Sequence, residues 1–136
     1  MIHLKKQDYL NMLCHARACL PEEACGLLAG HSRDDEAWVE KLYCLENADH
    51  SPTHFTLAPA EQLKTILDMR ERELELLGNW HSHPETPSRP SAEDIRLALD
   101  PTASYLILSL AEEEPVLRSF RIRDGQALRE ELVIEE

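Results

Sequence analysis

Residues 78–99 read GNWHSHPETPSRPSAEDIRLAL, and this stretch carries the strongest pattern in the chain. Two histidines, His81 and His83, flank one serine. In an extended strand, residues two apart point to the same side, so both imidazoles are expected to face one way and Ser82 the other. Pro84 cannot continue a paired central strand, which predicts that His83 lies at the end of its strand, where a substrate can reach it. The pattern fits half of a metal site, although two histidines beside a loop, taken alone, are more often incidental than ligating.

The second half of the site is predicted from Ser91 and Asp94. Seven residues after Pro84 comes Ser91, and Asp94 follows three residues later. A serine with an acidic residue three positions on is also typical of a capped helix start, so the pair has a structural interpretation beside the functional one. Two histidines and one carboxylate would hold one Zn²⁺ and leave a fourth tetrahedral position for water, as in catalytic zinc sites. A general base must then come from elsewhere in the chain.

The composition of the 136 residues fits one domain, residues 1–136, with 43% apolar and 29% charged residues. A chain of this length buries enough surface to fold without a structural metal, so any metal is expected to be functional. The net charge of −12 argues against a nucleic-acid partner and against docking on anionic membranes. No apolar run approaches the roughly 18 residues of a membrane span, and no secretory signal is visible. We expect a cytoplasmic protein, and its oligomeric state stays open.

The four cysteines, Cys14, Cys19, Cys25 and Cys44, have no C-x-x-C spacing. In a chain without a secretory signal, they are expected to be reduced and mostly buried thiols. The missing paired spacing also disfavours a zinc site built from cysteines.

Hydrophobic periodicity predicts an α/β fold, with a single-domain mixed β-sheet of about six strands flanked by three helices. The predicted helices are 5–19, 58–78 and one that starts near Ser91. The predicted strands are 24–30, 37–45, 79–82, 104–111, 115–123 and 127–134, with a further short one at 55–57. The predicted apolar helix faces are Leu10, Leu13, Cys14 and Ala18; then Leu63, Ile66, Leu67, Leu74 and Leu77; then Ile95, Ala98 and Leu99.

The combined motif resembles the signature of the JAMM (MPN+) metalloprotease family: H-S-H-P at 81–84, a spacer that ends at Ser91, and Asp94. That family also has an upstream glutamate, and PEEACGLLAG at 21–30 resembles the element that carries it. The family's glutamate lies three residues before the first glycine of G-x-x-x-G, which gives Glu23, with Glu22 as the alternative. The resemblance runs from about residue 9 to beyond residue 110 and implies the cytidine-deaminase-like architecture of JAMM/MPN domains.

The resemblance implies a role for each of these residues. His81, His83 and Asp94 are expected to hold one catalytic Zn²⁺. Glu23 is expected to be the general acid–base residue, and Ser91 is expected to donate a hydrogen bond to the oxyanion.

The resemblance also implies a substrate. Family members hydrolyse peptide or isopeptide bonds after the C-terminal Gly-Gly of ubiquitin-like proteins. The short form suggests bacterial and archaeal members, whose expected partner is a small ubiquitin-fold sulfur carrier. A non-catalytic scaffold of the same fold that binds such a partner is the alternative. A zinc nucleobase deaminase is disfavoured, because the P-C-x-x-C element that must accompany H-x-E is missing.

Overall fold

The computed structural model describes all 136 residues, which form eight strands and three helices. In chain order they are β1 (Ile2–Lys5), α1 (Lys6–Cys19), β2 (Cys25–Arg33), β3 (Glu36–Leu45), α2 (Pro59–Glu71), β4 (Glu75–His83), α3 (Ala92–Leu97), β5 (Ser104–Ser109), β6 (Val116–Arg123), β7 (Gln126–Glu130) and β8 (Leu132–Glu135). The predicted mixed α/β class is confirmed, with eight strands instead of about six. No helix is both long enough and apolar enough to cross a membrane.

All eight strands belong to one mixed sheet, in the order β7-β6-β5-β4-β2-β3-β1-β8. Strand β4, which carries the two histidines, pairs antiparallel with β2 and parallel with β5, so both of its edges are occupied. Strands β7 and β8 lie at opposite ends of the order although only Glu131 separates them in sequence. The sheet must therefore curl until its two ends come together. The N–H of Ile2 donates to the Glu131 carbonyl at 2.9 Å and fastens β1 to this junction.

The two faces of the sheet pack on different helices, and this alternation positions the site. Trp80 of β4 is fully buried in the larger core, which it shares with residues of α1. The smaller core lies against α2 and contains Met69 together with Leu27 of β2. Because side chains alternate along a strand, His81 and His83 project from the face opposite to Trp80.

Close approach of two backbones explains the first glycine of the G-x-x-x-G element. A Cβ placed on Gly26 would lie 1.8 Å from the Tyr43 carbonyl oxygen and 2.3 Å from Trp80 Nε1. The indole N–H of Trp80 donates to that same carbonyl at 3.0 Å. The missing side chain at Gly26 thus leaves room on β2 for the indole of Trp80 from β4.

The second helix is shorter than predicted, since α2 ends at Glu71 and not at residue 78. Glu73 has a φ of 59°, and the N–H of Leu74 donates back to the Met69 carbonyl at 2.9 Å. A left-handed residue of this kind ends a helix. A glutamate holds the position that usually carries glycine, so the ordinary sequence signal is missing. Strand β4 accordingly begins at Glu75, four residues before the predicted 79–82 strand.

The strands differ from the prediction in three further places. Residues 55–57 lie in a loop, because the N–H of Thr56 donates to the Asn47 side chain at 3.2 Å instead of to a neighbouring strand. The predicted strand 127–134 is two strands, because the chain crosses at Glu131 from β7, which pairs with β6, to β8, which pairs with β1. Strand β1, with buried Ile2 and Leu4, was not predicted, because four residues are too few to display a period.

The predicted apolar helix faces are largely wrong. Helix α1 buries Met12, Leu13 and Ala16, and helix α2 buries Thr65 and Met69. Several residues of the predicted faces are exposed instead: Leu10, Cys14, Ala18, Leu63, Leu67 and Leu99. Each helix contacts the sheet along a narrow strip that covers only some of its apolar residues, so several leucines remain on the outer surface.

The cysteines are free, but the expectation that they are mostly buried is wrong. Only Cys25, on a core strand, is buried; Cys19 is partly buried, and Cys14 and Cys44 are exposed. Cys14 lies one turn from the exposed Leu10 on the outer side of α1.

Candidate metal centre

Three side chains converge where β4 ends. The Nε2 atoms of His81 and His83 lie 3.0 Å apart. Asp94 Oδ2 lies 3.2 Å from His81 Nε2 and 3.3 Å from His83 Nε2. Both imidazoles are buried and project from one side of the strand, as the alternation predicts. The structure brings together the three residues that the sequence predicts as ligands, and this group could hold a metal ion.

The donor set fits a cation. Ligand atoms about 2.0–2.1 Å from a tetrahedral Zn²⁺ stand roughly 3.3 Å from one another, close to the separations observed here. His83 Nδ1 lies 2.9 Å from the Pro87 carbonyl oxygen, which can only accept, so Nδ1 carries the proton. When the ring is neutral, Nε2 carries a lone pair that can ligate a cation; when the ring is protonated, Nε2 donates to Asp94 instead. A cation bound between the three side chains would accept the lone pairs of the two neutral imidazoles and of the Asp94 carboxylate.

The pKa values of the three groups reflect their mutual contact. Burial alone raises the pKa of Asp94, but hydrogen bonds from His81 and His83 outweigh it and hold that pKa well below its usual range. Burial lowers the pKa of His81, against an opposing effect of Asp94. Burial also lowers the pKa of His83, but the hydrogen bonds to Asp94 and to the Pro87 carbonyl raise it by more.

A capping box places Asp94 in this cluster. Ser91 Oγ accepts from the Asp94 N–H at 3.0 Å, and the Ser91 N–H donates to Asp94 Oδ2 at 2.9 Å. The same oxygen faces the two imidazoles, so the structural interpretation of Ser91 and the ligand interpretation of Asp94 hold together. Helix α3 has no buried side chain. The cap and the imidazole contacts are therefore the main restraints on Asp94.

Glu23 is the buried carboxyl group near this cluster. Its Oε1 has no hydrogen-bond partner within the protein, and burial raises its pKa to about 8. His83 lies near enough to lower this pKa, and Asp94 near enough to raise it. Glu22 instead lies at the surface, with Oε1 3.1 Å from His50 Nδ1. Burial and proximity favour Glu23 over Glu22 as the residue that faces the site.

Backbone hydrogen bonds hold the segment that carries Glu23. The N–H of Glu23 donates to the Ser51 carbonyl at 2.8 Å, and its carbonyl accepts from Asn47 Nδ2 at 3.1 Å. Ser82 then binds both polar groups of the next residue, Ala24. Its Oγ accepts from the Ala24 N–H at 2.8 Å, and its N–H donates to the Ala24 carbonyl at 2.9 Å. The serine between the two histidines therefore links the ligand strand to the Glu23 segment.

A cleft of about 560 Å³ opens beside His81 and Asp94. Its wall on one side is Phe55, whose ring stacks on His81 with centroids 4.8 Å apart. His54, in the loop between β3 and α2, also borders this cleft. The remaining lining residues are Thr56, Leu57, Gln62, Asn79, Glu93, Leu97, Ala98, Leu99 and Tyr105.

Three residues around the site were not singled out from the sequence: Asn47, Phe55 and Ser82. Ser82 lies inside the H-S-H-P motif, and its position between two ligands was a signal that could have been used. Asn47 lies in a segment that the sequence predicts as a loop, and Phe55 begins the predicted short strand 55–57. An asparagine two residues after the end of a strand is the sequence feature there that indicates side-chain bonding to the backbone.

A metal-binding group beside a desolvated carboxyl group is the arrangement of a hydrolytic metalloenzyme. A sequence model for prokaryotic homologs of the JAB domain matches residues 5–123. The chain therefore belongs to the prokaryotic JAB-domain family, and the resemblance to JAMM (MPN+) proteins is confirmed. It is accordingly an enzyme of the peptidase class.

Named relatives and a solved structure agree with this family. The chain is 38% identical over 127 residues to the CysO-cysteine peptidase of Mycobacterium tuberculosis, which covers 92% of this chain and 86% of the relative. It is 34% identical over 104 residues to a desampylase of Haloferax volcanii, with 73% of each chain covered. The solution structure of a Desulfitobacterium hafniense protein superposes with a TM-score of 0.92 at 53% identity, covering 100% of this chain and 94% of that one.

Proposed function

We propose that this protein is a zinc-dependent peptidase that cleaves the bond after the C-terminal Gly-Gly of a small ubiquitin-like sulfur carrier. The observation that carries the proposal is the convergence of His81, His83 and Asp94 beside the buried Glu23. The names of the relatives add support, because they include a CysO-cysteine peptidase, desampylases and a probable TtuB-protein conjugate cleaving protease. The released group is the amino acid, peptide or protein attached to the carrier.

His81, His83 and Asp94 are proposed as the Zn²⁺ ligands. Bound there, Zn²⁺ supplies Lewis-acid chemistry, polarising a carbonyl and making a water acidic at neutral pH. The hydrogen bond from His83 Nδ1 to the Pro87 carbonyl fixes the tautomer that leaves Nε2 free to ligate. The capping box fixes the orientation of the Asp94 carboxylate.

Glu23 is proposed as the general acid–base residue. It takes the proton of the attacking water and later gives the same proton to the leaving amine, so the hydrolysis has no net gain or loss of protons. Because its Oε1 has no competing donor in the protein, that oxygen is available to the reacting water. Burial raises its pKa to about 8, and a cation bound nearby would lower that pKa, which suits a group that must both accept and return a proton.

Ser91 is proposed as the donor to the oxyanion. Its Oγ accepts from the Asp94 N–H, which leaves its own O–H hydrogen free to donate toward the reacting carbonyl. A donor in this position contributes about 3 kcal/mol to transition-state stabilisation.

The fold restricts how a carrier tail is held. Both edges of β4 are paired, so an extended tail cannot add to the ligand strand as a further strand. The tail must instead be held by side chains of the cleft beside His81. Two terminal glycines suit this arrangement, because residues without side chains approach a buried site closely. We place the reaction in the cytoplasm, a reducing compartment in keeping with four free cysteines.

The direct test uses zinc-loaded protein and a panel of sulfur-carrier fusions. One set is extended through the peptide bond after Gly-Gly, and a second set is joined to a lysine side chain. Mass spectrometry should detect the free Gly-Gly terminus in at least one set, and Glu23→Gln should slow its release at least about 100-fold. Failure to cleave any fusion would defeat the proposal. Carrier binding that is equally tight with and without zinc, and without cleavage, would instead support the non-catalytic scaffold.

A further inference from the structure

One loop side chain, Asn47, is bonded to the segment that carries Glu23. Asn47 is only 5% exposed, although its neighbours in the loop after β3 are mostly exposed. Its Nδ2 donates to the carbonyl oxygens of Glu23 at 3.1 Å, His54 at 3.0 Å and Ser51 at 3.4 Å. One amide therefore contacts both the Glu23 backbone and the wall of the cleft.

The acceptor half of the same amide organises the loop. Asn47 Oδ1 accepts from the N–H groups of Asp49 at 3.0 Å and Thr56 at 3.2 Å. The loop closes around this side chain and directs the Ser51 carbonyl at the N–H of Glu23, 2.8 Å away. Both backbone polar groups of Glu23 are thus bonded to residues 47–56, and none of these bonds is part of a strand ladder.

The position of Glu23 in the fold explains why such support matters. The β2–β4 ladder begins with Cys25 opposite His81, so Glu23 lies two residues before the sheet can hold it. The loop also carries Phe55, whose ring stacks on His81. Disturbing the loop would therefore move the carboxyl group relative to the ligands without breaking the sheet.

We propose that Asn47 is a positioning residue for the reaction: it holds the Glu23 backbone so that the carboxyl group faces the metal ligands. This inference rests on the proposed function, because it assigns to Asn47 a role in proton transfer by Glu23. Asn47 itself does not line the cleft, and it is hydrogen-bonded to none of the three proposed ligands. It acts through the Glu23 carbonyl and through the loop that binds the Glu23 N–H.

The expected effect of Asn47→Ala is a loss in kcat of about 10- to 100-fold, the range found when groups that orient a catalytic residue are removed. KM changes less than kcat, because Asn47→Ala removes no cleft-lining side chain, although it loosens the loop that carries His54 and Phe55. One zinc ion per chain is retained, because none of the three ligands is hydrogen-bonded to Asn47.

Two further variants separate positioning from simple loss of structure. Asn47→Asp keeps an acceptor for Asp49 and Thr56 but loses the N–H donors to Glu23, so kcat is expected to fall as it does for alanine. Ser104→Ala is the matched control, because it also removes a buried side-chain hydrogen bond, to Glu130 at 2.7 Å on the far part of the sheet. It should lower the unfolding midpoint and leave kcat unchanged.

The experiment measures kcat and KM of the zinc-loaded full chain for Asn47→Ala, Glu23→Gln and the double variant. If Asn47 acts through Glu23, the double variant is no slower than Glu23→Gln alone. Amide exchange provides a second readout without substrate: Asn47→Ala should speed exchange of the Glu23 amide at least about tenfold by releasing its loop partner, and leave that of Leu28, inside β2, unchanged.

Three results would overturn the inference: a folded Asn47→Ala protein with wild-type kcat, an equal loss of rate in the Glu23→Gln background, or an unchanged exchange rate at Glu23. A wild-type protein that cleaves no carrier fusion defeats the proposed function instead. In that case the exchange rate at Glu23 still decides whether Asn47 holds that segment.

Discussion

Glu23 and Glu130 are both buried carboxyl groups, 3% and 8% exposed, yet their surroundings are opposite. Glu130 Oε1 accepts from the hydroxyls of Ser104 and Ser119, each at 2.7 Å, and Oε2 accepts from Arg121 Nε at 2.9 Å. Burial alone raises the pKa of Glu130, but these hydrogen bonds and the guanidinium charge lower it by more. Glu130 is therefore an ionised group whose hydrogen-bonding capacity is used within the fold.

Glu23 has no such set of donors. Its Oε1 is buried without a partner, and burial raises its pKa to about 8. A desolvated and unbonded carboxyl group lowers stability, but it is well suited to exchanging protons with a bound substrate. One buried carboxylate therefore has its hydrogen-bonding capacity satisfied within the sheet, whereas the other keeps an unpartnered oxygen at some cost to stability, as the proposed proton transfer requires.

The largest expected effect is that of Glu23→Gln on turnover. Removing the proton acceptor should lower kcat at least about 100-fold, while the free energy of unfolding is not reduced, because no satisfied hydrogen bond at Oε1 is lost. Carrier cleavage and urea unfolding measure the two quantities. Glu22→Gln is the control and should keep its activity. Loss of activity in Glu22→Gln, with Glu23→Gln active, would reverse the assignment.

Glu130→Ala should have the converse effect. It leaves Arg121 and two buried hydroxyls without their acceptor and should lower the free energy of unfolding by about 3 kcal/mol. The kcat of the folded fraction should not change, because this cluster lies at the start of β5, whereas the ligands lie beside its end. Glu131→Ala, at the exposed neighbouring position, is the control. Equal destabilisation by both variants would contradict the account of Glu130.

Acid should act on the two regions at different pH values. Zinc binding needs neutral imidazoles, so zinc affinity should fall below about pH 6, by about tenfold per pH unit for each protonated histidine. Because the folded pKa of Glu130 is lowered, its contribution to stability is complete above its ordinary value of 4.5 and is lost only as the pH falls through the lower folded value. Metal should thus leave before the fold weakens. Zinc retained unchanged at pH 4.5 would contradict ligation by His81 and His83.

The smallest expected effects are those of replacing two buried serines, one beside the Glu23 segment and one beside Glu130. Ser82→Ala and Ser119→Ala each remove one hydrogen bond of a fully buried side chain and should each cost about 1 kcal/mol of unfolding free energy. Only Ser82→Ala should also lower kcat, by about tenfold, because Ser82 holds Ala24 beside Glu23. Equal kcat values for the two folded variants would show that the Ser82 contact serves stability alone.

Local patterns, combined with the family resemblance, predicted that His81, His83 and Asp94 lie together, and the structure brings them together. The alternation of a strand fixes His81 and His83 on one side, and the capping pattern of Ser91 and Asp94 begins a helix whose first turn carries the carboxylate. The choice between Glu22 and Glu23 could not be derived from periodicity, because it depends on burial created by distant segments. Resemblance to a family supported Glu23, and the structure buries that residue.

Features that depend on contacts between distant segments were missed. The end of α2 depends on a left-handed glutamate, Glu73, and the break between β7 and β8 depends on where the curled sheet brings its ends together. The role of Asn47 depends on carbonyl groups that are distant in sequence or belong to an irregular loop. None of these arrangements produces a regular spacing of apolar residues, so none can be recognised from the sequence alone.

The short helix α3 has one further consequence. It presents Asp94, yet none of its six residues is buried, so little apolar packing restrains it. An ion shared between Asp94 and the two imidazoles of β4 would link this helix to the sheet and restrict its motion. Metal loading should therefore be readable without any substrate, as protection of the peptide bonds around Leu97 from a protease and as slowed deuterium uptake limited to that stretch.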